Sequence, residues 1–300
     1  MTTLSAAGAA NCAGNRILRV CAWLLCLAAL PSCGARTLTD DMGHAVNLPE
    51  HPHRLVCLMP SIVDDVYALG AGADVVGITD YVEYPAAAKS KPSVGLPLTP
   101  SVETILALHP DLILADPEMS GVDTIDRLRR LGFPVFTVMA RGVGGIYSSI
   151  ASIGQALNRE DAARVLIAKL HAREAAVRQR AAGKPVVRIL MPVGIDPVVT
   201  IGKHAFITEM IAIAGGRSVT DDLSQEWQQI SLEAVMERNP QALLLIKGSK
   251  MSLDQIRSRP GWSNLAAVKN RRIYYVDDRI VFPSPVAFDA LEELARQLHP

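Results

Sequence analysis

From Ile146 to Ala182 the chain carries no proline and is rich in Ala, Leu, Ile, Arg, Glu and Gln, with only Gly154 and Asn158 as interruptions. These are strong helix formers. Asn158-Arg-Glu-Asp161 has the form of an N-cap followed by acidic first-turn residues, so the pattern predicts two helices meeting at Asn158. The longer one runs from Arg159 to about Arg180 and spans about 30 Å. From Arg159 to Arg180 there is no Gly or Ser to form a flexible hinge. A stiff element of this length in mid-chain constrains everything on either side: the flanking segments are held at a nearly fixed separation, with a cleft between them.

Both flanks alternate short apolar runs with helical periodicity. Strands are predicted at Leu55–Met59, Val75–Ile78, Leu112–Ala115 and Val135–Val138, with helical stretches at Val63–Leu69, Val102–Leu108 and Asp123–Leu131 between them. The second flank repeats the scheme. Its strands are expected near Val186–Met191, Ala242–Ile246 and Ile273–Val276, and its helices near Ala205–Ala214, Leu232–Glu237, Leu253–Arg257 and Ala287–Leu298. The reading is therefore an α/β protein: two doubly wound α/β lobes, residues 54–143 and 183–300, joined by a rigid helical connector, 144–182, with a ligand cleft between the lobes. At 300 residues and 49% hydrophobic content, two packed domains are within reach.

The N-terminus reads as an address. Arg16 and Arg19 precede the apolar run Val20 to Leu30, followed by Pro31-Ser32-Cys33-Gly34. This is the pattern of a signal peptide, residues 1–32, and the run is far short of the about 20 residues that a bilayer-spanning helix needs. Leu30-Pro-Ser-Cys33 resembles a bacterial lipobox, which makes Cys33 the expected lipidation site and residues 33–53 an arm between anchor and lobe. Ordinary cleavage that leaves Cys33 unmodified is the alternative. Once Cys12, Cys21 and Cys26 leave with the signal and Cys33 carries lipid, only Cys57 remains, so no disulfide is expected within the mature chain. Cys57, in Leu55-Val-Cys-Leu-Met59, is read as a small buried hydrophobe.

Basic and acidic residues number 30 each, and no long run of like charge occurs, so nothing points to nucleic acid. Gly-x-Ser-x-Gly, P-loop and dinucleotide glycine fingerprints are absent, and no enzyme is expected. The acidic pairs Asp64-Asp65, Asp221-Asp222 and Asp277-Asp278 lack the spacing of a metal loop and are read as solvated loop carboxylates. His51 and His53 flank Pro52 in the arm, and His204 is the one histidine expected near the cleft; no resident metal or cofactor is expected.

In an open α/β lobe, ligands contact the loops at the carboxyl ends of the strands. Pro60, Ser61 and Ile62 follow the first strand, Tyr81 and Tyr84 the second, and Asp116 the third; Asp196 and Phe282 hold comparable places in the second lobe. Trp227 stands in a polar stretch with no evident core to fill and is a candidate cleft wall. Each has a local role available as well: Ser61 as a helix cap, the aspartates before proline as turn formers, the aromatics as loop packing. Cationic residues near the rim are restricted to Arg141, Lys203 and Arg279, which favours an uncharged bulky ligand over an anionic chelate.

Arg54-Leu-Val-Cys-Leu-Met-Pro-Ser-Ile-Val-Asp-Asp-Val-Tyr-Ala-Leu-Gly70 resembles the opening motif of the helical-backbone (class III) periplasmic solute-binding proteins of ABC importers, which serve cobalamin, heme and ferric siderophores. Val76-Gly-Ile-Thr-Asp-Tyr81, Tyr84-Pro85, Val94-Gly95, Glu103 to Leu114 and Leu131-Gly-Phe-Pro-Val135 follow in the family's order. In the second half, Val193 to Gly202, Ala214-Gly-Gly216, Trp227-Gln-Gln-Ile-Ser-Leu-Glu233 and the Ser284-Pro285 segment resemble its cobalamin-binding branch. Departures lie at Leu96-Pro97, where some relatives carry an aromatic, and at Val286, where the branch often has Arg. The resemblance implies a monomeric, exported, membrane-anchored binding protein whose ligand is cobalamin or another metal chelate. Ferric-siderophore or heme binding is the alternative within the fold, and a scaffolding lipoprotein the alternative outside transport. It also implies that Glu103 and Glu233, one per lobe and each opening a helix, pair with arginines of the transporter's membrane subunits. A favourable position on the helix dipole is the local reading of both.

Overall fold

Residues 35–249 and 251–300 are described by the structure, a computed structural model; the expected signal peptide and Cys33 lie outside them. Strands β1 (Ala35–Thr39) and β2 (Ala45–Pro49) form a two-stranded sheet. Val46 and Leu48, two apart on β2, turn into the core, which gives the arm a packed face. Between the strands the buried Asp40 accepts from the backbone N–H groups of Met42 and His44, from Thr137 Oγ1 at 2.6 Å and from Arg129. The arm is thus stapled to the first lobe.

That lobe comprises β3 (Leu55–Cys57), α1 (Pro60–Ala68), β4 (Val75–Ile78), the short strands β5 (Gly95–Leu96) and β6 (Thr99–Pro100), α2 (Val102–Ala107), β7 (Leu112–Ala115), α3 (Pro117–Ser120), α4 (Val122–Arg130) and β8 (Val135–Thr137). Its main sheet is parallel in the order β4-β3-β7-β8. Apart from Thr137 at the end of β8, the residues of β3, β7 and β8 are apolar, because both faces of the sheet are covered. Helix α1 starts three residues earlier than the periodicity predicts, since Pro60 at its first position has a backbone angle already set for helix and no N–H to lose.

Helices α5 (Gly142–Ala156) and α6 (Glu160–Ala181) form the middle of the chain, α6 being about 33 Å long. Asn158 is not the N-cap of the second helix; it closes the first. It sits in the left-handed region at φ 57°, with its N–H on Gln155 O and the Arg159 N–H on Gly154 O, the paired bonds of a Schellman ending. Asn reaches that conformation more readily than most residues, and the sequence signal for a cap at either side of such a junction is the same.

The second lobe runs β9 (Val187–Leu190), β10 (Pro192–Ile195), β11 (Val198–Ile201), α7 (Phe206–Ile213), β12 (Gly216–Ser218), β13 (Trp227–Ile230), α8 (Leu232–Arg238), β14 (Ala242–Ile246), α9 (Leu253–Arg257), α10 (Ala266–Lys269), β15 (Ile273–Val276) and α11 (Ala287–Leu298). Its parallel sheet has the order β12-β9-β14-β15. Counting parallel strands from one to four in each lobe gives the same order, 2-1-3-4, twice. An antiparallel sheet β10-β11-β13, unanticipated from sequence, is added to the second lobe. Helix α5 packs against α1 of the first lobe and α7 of the second, while α6 packs along α11. One apolar core accordingly runs through both lobes, joining Leu55, Leu112 and Phe136 to Ile146 and Ile150 of α5 and on to Ile189, Leu244 and Phe288.

Candidate functional site

The reversal of strand order after the first strand leaves a crevice at the carboxyl ends of β3 and β7 in one lobe and of β9 and β14 in the other. A cavity of about 320 Å³ lies between the lobes, lined by residues that follow β3 and β4 in the first lobe and β15 in the second. Its first-lobe wall is Pro60 and Asp64 of α1 with Tyr81, Glu83 and Tyr84 from the loop after β4. Asp278, Arg279, Phe282 and Val286, between β15 and α11, form the opposite wall. Pro60 and Asp64 are four apart on α1 and so face the cavity from one side of that helix, while Phe282 and Val286 reach it from the non-helical connection ahead of α11. A larger recess of about 520 Å³ belongs to the second lobe alone; there Arg217 pairs with Asp221 and Arg238 with Asp222 across open solvent.

Two contacts cross the cavity. Ser284 Oγ donates to Asp64 Oδ2 at 2.9 Å, both side chains being buried. The Arg279 guanidinium lies 5.1 Å from the centre of the Tyr84 ring. Arg279 is itself held by Asp277 Oδ1 at 2.7 Å and Asp289 Oδ2 at 2.9 Å, so its charge is already matched. That guanidinium keeps the Asp277 carboxyl below the usual range, whereas burial and the neighbouring Asp277 raise Asp278.

Asp64 and Asp65 are not solvated loop groups. They lie on α1 at 7% and 1% exposure, because that helix is enclosed by the sheet, α5 and the second lobe. Burial lifts the Asp64 carboxyl to about 7 against the opposing effects of Ser284 and Arg279. Asp65, deeper still, is raised well above its ordinary value; Ser149 donates to its Oδ2 at 2.7 Å and its Oδ1 has no partner. Cys57 is a buried free thiol, pushed up to about 12 chiefly by burial.

Of the residues singled out by sequence, Pro60, Tyr81, Tyr84 and Phe282 come together in the cavity. Ser61 and Ile62 do not: one and two positions past Pro60, they turn into the interior. Asp116 caps α3, accepting from the Glu118 N–H at 2.8 Å. Asp196 and Pro197 form the tight turn between β10 and β11, away from a parallel strand end, and Asp196 pairs with Arg259 at 2.9 Å. Trp227 begins the edge strand β13, pairing with Ile201; its side chain is 42% exposed and outside the cavity. The alternation along Trp-Gln-Gln-Ile is that of an edge strand, read from sequence as a polar loop. Lys203 and His204 are exposed in the turn before α7, and Arg141 pairs with Glu118. Glu103 and Glu233 occupy matching places, exposed in the first turns of α2 and α8, each behind a serine N-cap, Ser101 or Ser231, that accepts at 3.2 Å. Among the described residues no group of three or more His, Cys, Asp or Glu is placed to hold a metal, and no helix is long and apolar enough to cross a membrane.

A family model for periplasmic binding proteins matches residues 55–280. The chain belongs to the periplasmic binding protein family. This binding protein is 33% identical over 274 residues to an uncharacterized ABC transporter substrate-binding lipoprotein of Bacillus subtilis, YvrC, a match covering 88% of the chain and 85% of the relative. It is 30% identical over 203 residues to the vitamin B12-binding protein of Yersinia pestis, covering 68% and 72%. Among solved structures, the apo form of the periplasmic heme-binding protein RhuT of Roseiflexus sp. RS-1 superposes with a TM-score of 0.75 at 28% identity, over 82% of this binding protein and 98% of RhuT. The vitamin B12 binding protein BtuF of Vibrio cholerae gives 0.73 at 24% identity, over 82% and 96%, a likeness of fold.

Proposed function

We propose that this protein is the substrate-binding subunit of an ABC importer, exported and anchored through Cys33, that captures a cobalamin-type corrinoid between its lobes and delivers it to the membrane subunits through Glu103 and Glu233. The observation that carries the ligand class is the interlobe cavity, walled by Pro60, Tyr81, Tyr84, Phe282 and Val286, with its single arginine already paired to two carboxylates. Such a lining suits an uncharged, partly apolar surface and leaves no free cation for an anionic chelate. At about 320 Å³ the cavity lies at the low end of ligand sites and would enclose one edge of a corrinoid. The likeness to the vitamin B12-binding protein of Yersinia pestis supports the same choice. The paired acidic helix starts at equivalent places of the two lobes suit a two-point contact with a basic partner.

Heme is the second reading, supported by the likeness to RhuT and by two tyrosines at the cavity mouth. Titration of the purified protein with cyanocobalamin, hemin and ferric siderophores separates the readings. Cyanocobalamin is expected to bind one saturable site, weakened about tenfold or more in Phe282→Ala, the equivalent of roughly 1.4 kcal/mol. Hemin binding with corrinoids silent moves the site to heme, and silence across all three sinks the transport reading.

A further inference from the structure

Asp64 is the most enclosed polar group of the interlobe cavity. Ser284, from the opposite lobe, donates to Oδ2 and fixes the carboxyl's orientation. No side chain among the described residues donates to Oδ1. The nearest cation, Arg279, is committed to Asp277 and Asp289 and stacked on Tyr84. Glu83 and Asp278 add two more carboxylates to the wall, and Asp65 lies directly behind. Carboxylates therefore outnumber guanidinium at a site from which a bound ligand would displace water. There a donor N–H gains a charge-assisted bond, while a second carboxylate meets like charge in a poorly screened place.

We infer that Asp64 is a specificity-determining residue of this cavity: its carboxyl accepts hydrogen bonds from amide N–H groups on the buried edge of the ligand and turns away an edge that bears a carboxylate. The inference rests on the cavity being the ligand site, and it names the chemistry of the ligand's buried edge. It also carries a pH signature. The groups facing Asp64 are Ser284, Arg279 and Asp65, with Glu83 and Asp278 further round the wall. Because burial holds this carboxyl near 7, it is largely ionised at pH 8 and largely neutral at pH 6, so repulsion of an anionic ligand weakens as the pH falls.

The test uses ligand pairs of matched shape: cyanocobalamin against its monocarboxylic acid, in which one peripheral amide is hydrolysed, and hemin diamide against hemin. At pH 8 the wild-type protein is expected to bind the amide member about tenfold more tightly than the carboxylate member. Asp64→Asn, which keeps an acceptor for Ser284, is expected to bring the two within about twofold, and the wild-type preference is expected to shrink at pH 6. Equal discrimination by wild type and Asp64→Asn, or no discrimination by wild type, overturns the inference. Should the variant fail to fold, a wild-type preference unchanged between pH 8 and pH 6 overturns it instead. If only the porphyrin pair binds and shows the Asp64-dependent pattern, the corrinoid reading falls and the inference stands. If neither pair binds, both fall.

Discussion

Asp64 and Asp65 follow Pro60 by four and five residues, and their neighbours on α1 are apolar, so the helix periodicity alone places one on the cavity side and the other toward α5 and Ser149. Both carboxyls have folded values raised by burial above the ordinary 3.8. An acid shifted in that direction binds its proton more tightly in the folded state. Its contribution to stability is therefore fully present below the unfolded value and is lost as pH rises through the folded one. For Asp64 the window runs from 3.8 to about 7, and the linkage is worth on the order of 4 kcal/mol at most. Thermal unfolding is thus expected to give a Tm that declines from pH 5 to pH 8, a decline that Asp64→Asn flattens while raising Tm at pH 8. A variant with the wild-type slope would mean that Asp64 titrates as an exposed group. Four cavity residues were legible from the rule that ligands meet strand ends. That rule does not reach Asp64, although its four-residue spacing from Pro60 on one helix is a usable signal. Ser61 and Ile62 follow the same strand end, but one and two positions past Pro60 on a helix they face the interior and not the cavity.

At the scale of elements, the parallel strands were readable because burial on both faces makes them continuous apolar runs, as in Leu112–Ala115 and Ala242–Ile246. Strands β10, β11 and β13 are hidden because Pro192, Gly194 and the polar Gln228-Gln229 pair dilute the pattern, and because β13 pairs with β11 across about 30 residues of chain, Val198 opposite Ile230. The helical pair α5 and α6 was legible in composition, but the reason it packs so closely was not. Gly154 is where the helices approach: a Cβ built there would stand 2.6 Å from the Ala163 Cβ. Two methyl-sized groups cannot share that space, so the helices would have to separate or tilt. Gly154→Val is expected to cost about 1–3 kcal/mol. The cost should appear as a lower urea midpoint with an unchanged slope. A midpoint equal to wild type would mean that α5 and α6 part easily.

The two lobes look alike in topology, and a pair of similar halves invites the picture of independent domains turning about a hinge. The packing argues otherwise. The main apolar core passes from Leu55 and Phe136 through Ile146 and Ile150 to Ile189 and Phe288 as one continuous cluster. Arg173 on α6 adds bonds to Asp289 and Glu292 of α11, and Ser284 and Arg279 reach across to Asp64 and Tyr84. A rotation of one lobe would pull α5 away from α1 or from α7, exposing apolar surface at about 25 cal/mol per Å², a cost that grows with every side chain uncovered. The same continuity governs unfolding. A lobe that melted alone would leave half of a shared core in water, so neither lobe has a stable state of its own to retreat to. Native-state hydrogen exchange measures this directly. The slowest amides of β3 and β7 in the first lobe, and of β14 in the second, are expected to open with one common free energy and one common denaturant dependence. If the first-lobe strands exchanged through a separate opening of markedly lower energy, the core would be divided at α5, and a ligand cleft between these lobes would then be free to open and close.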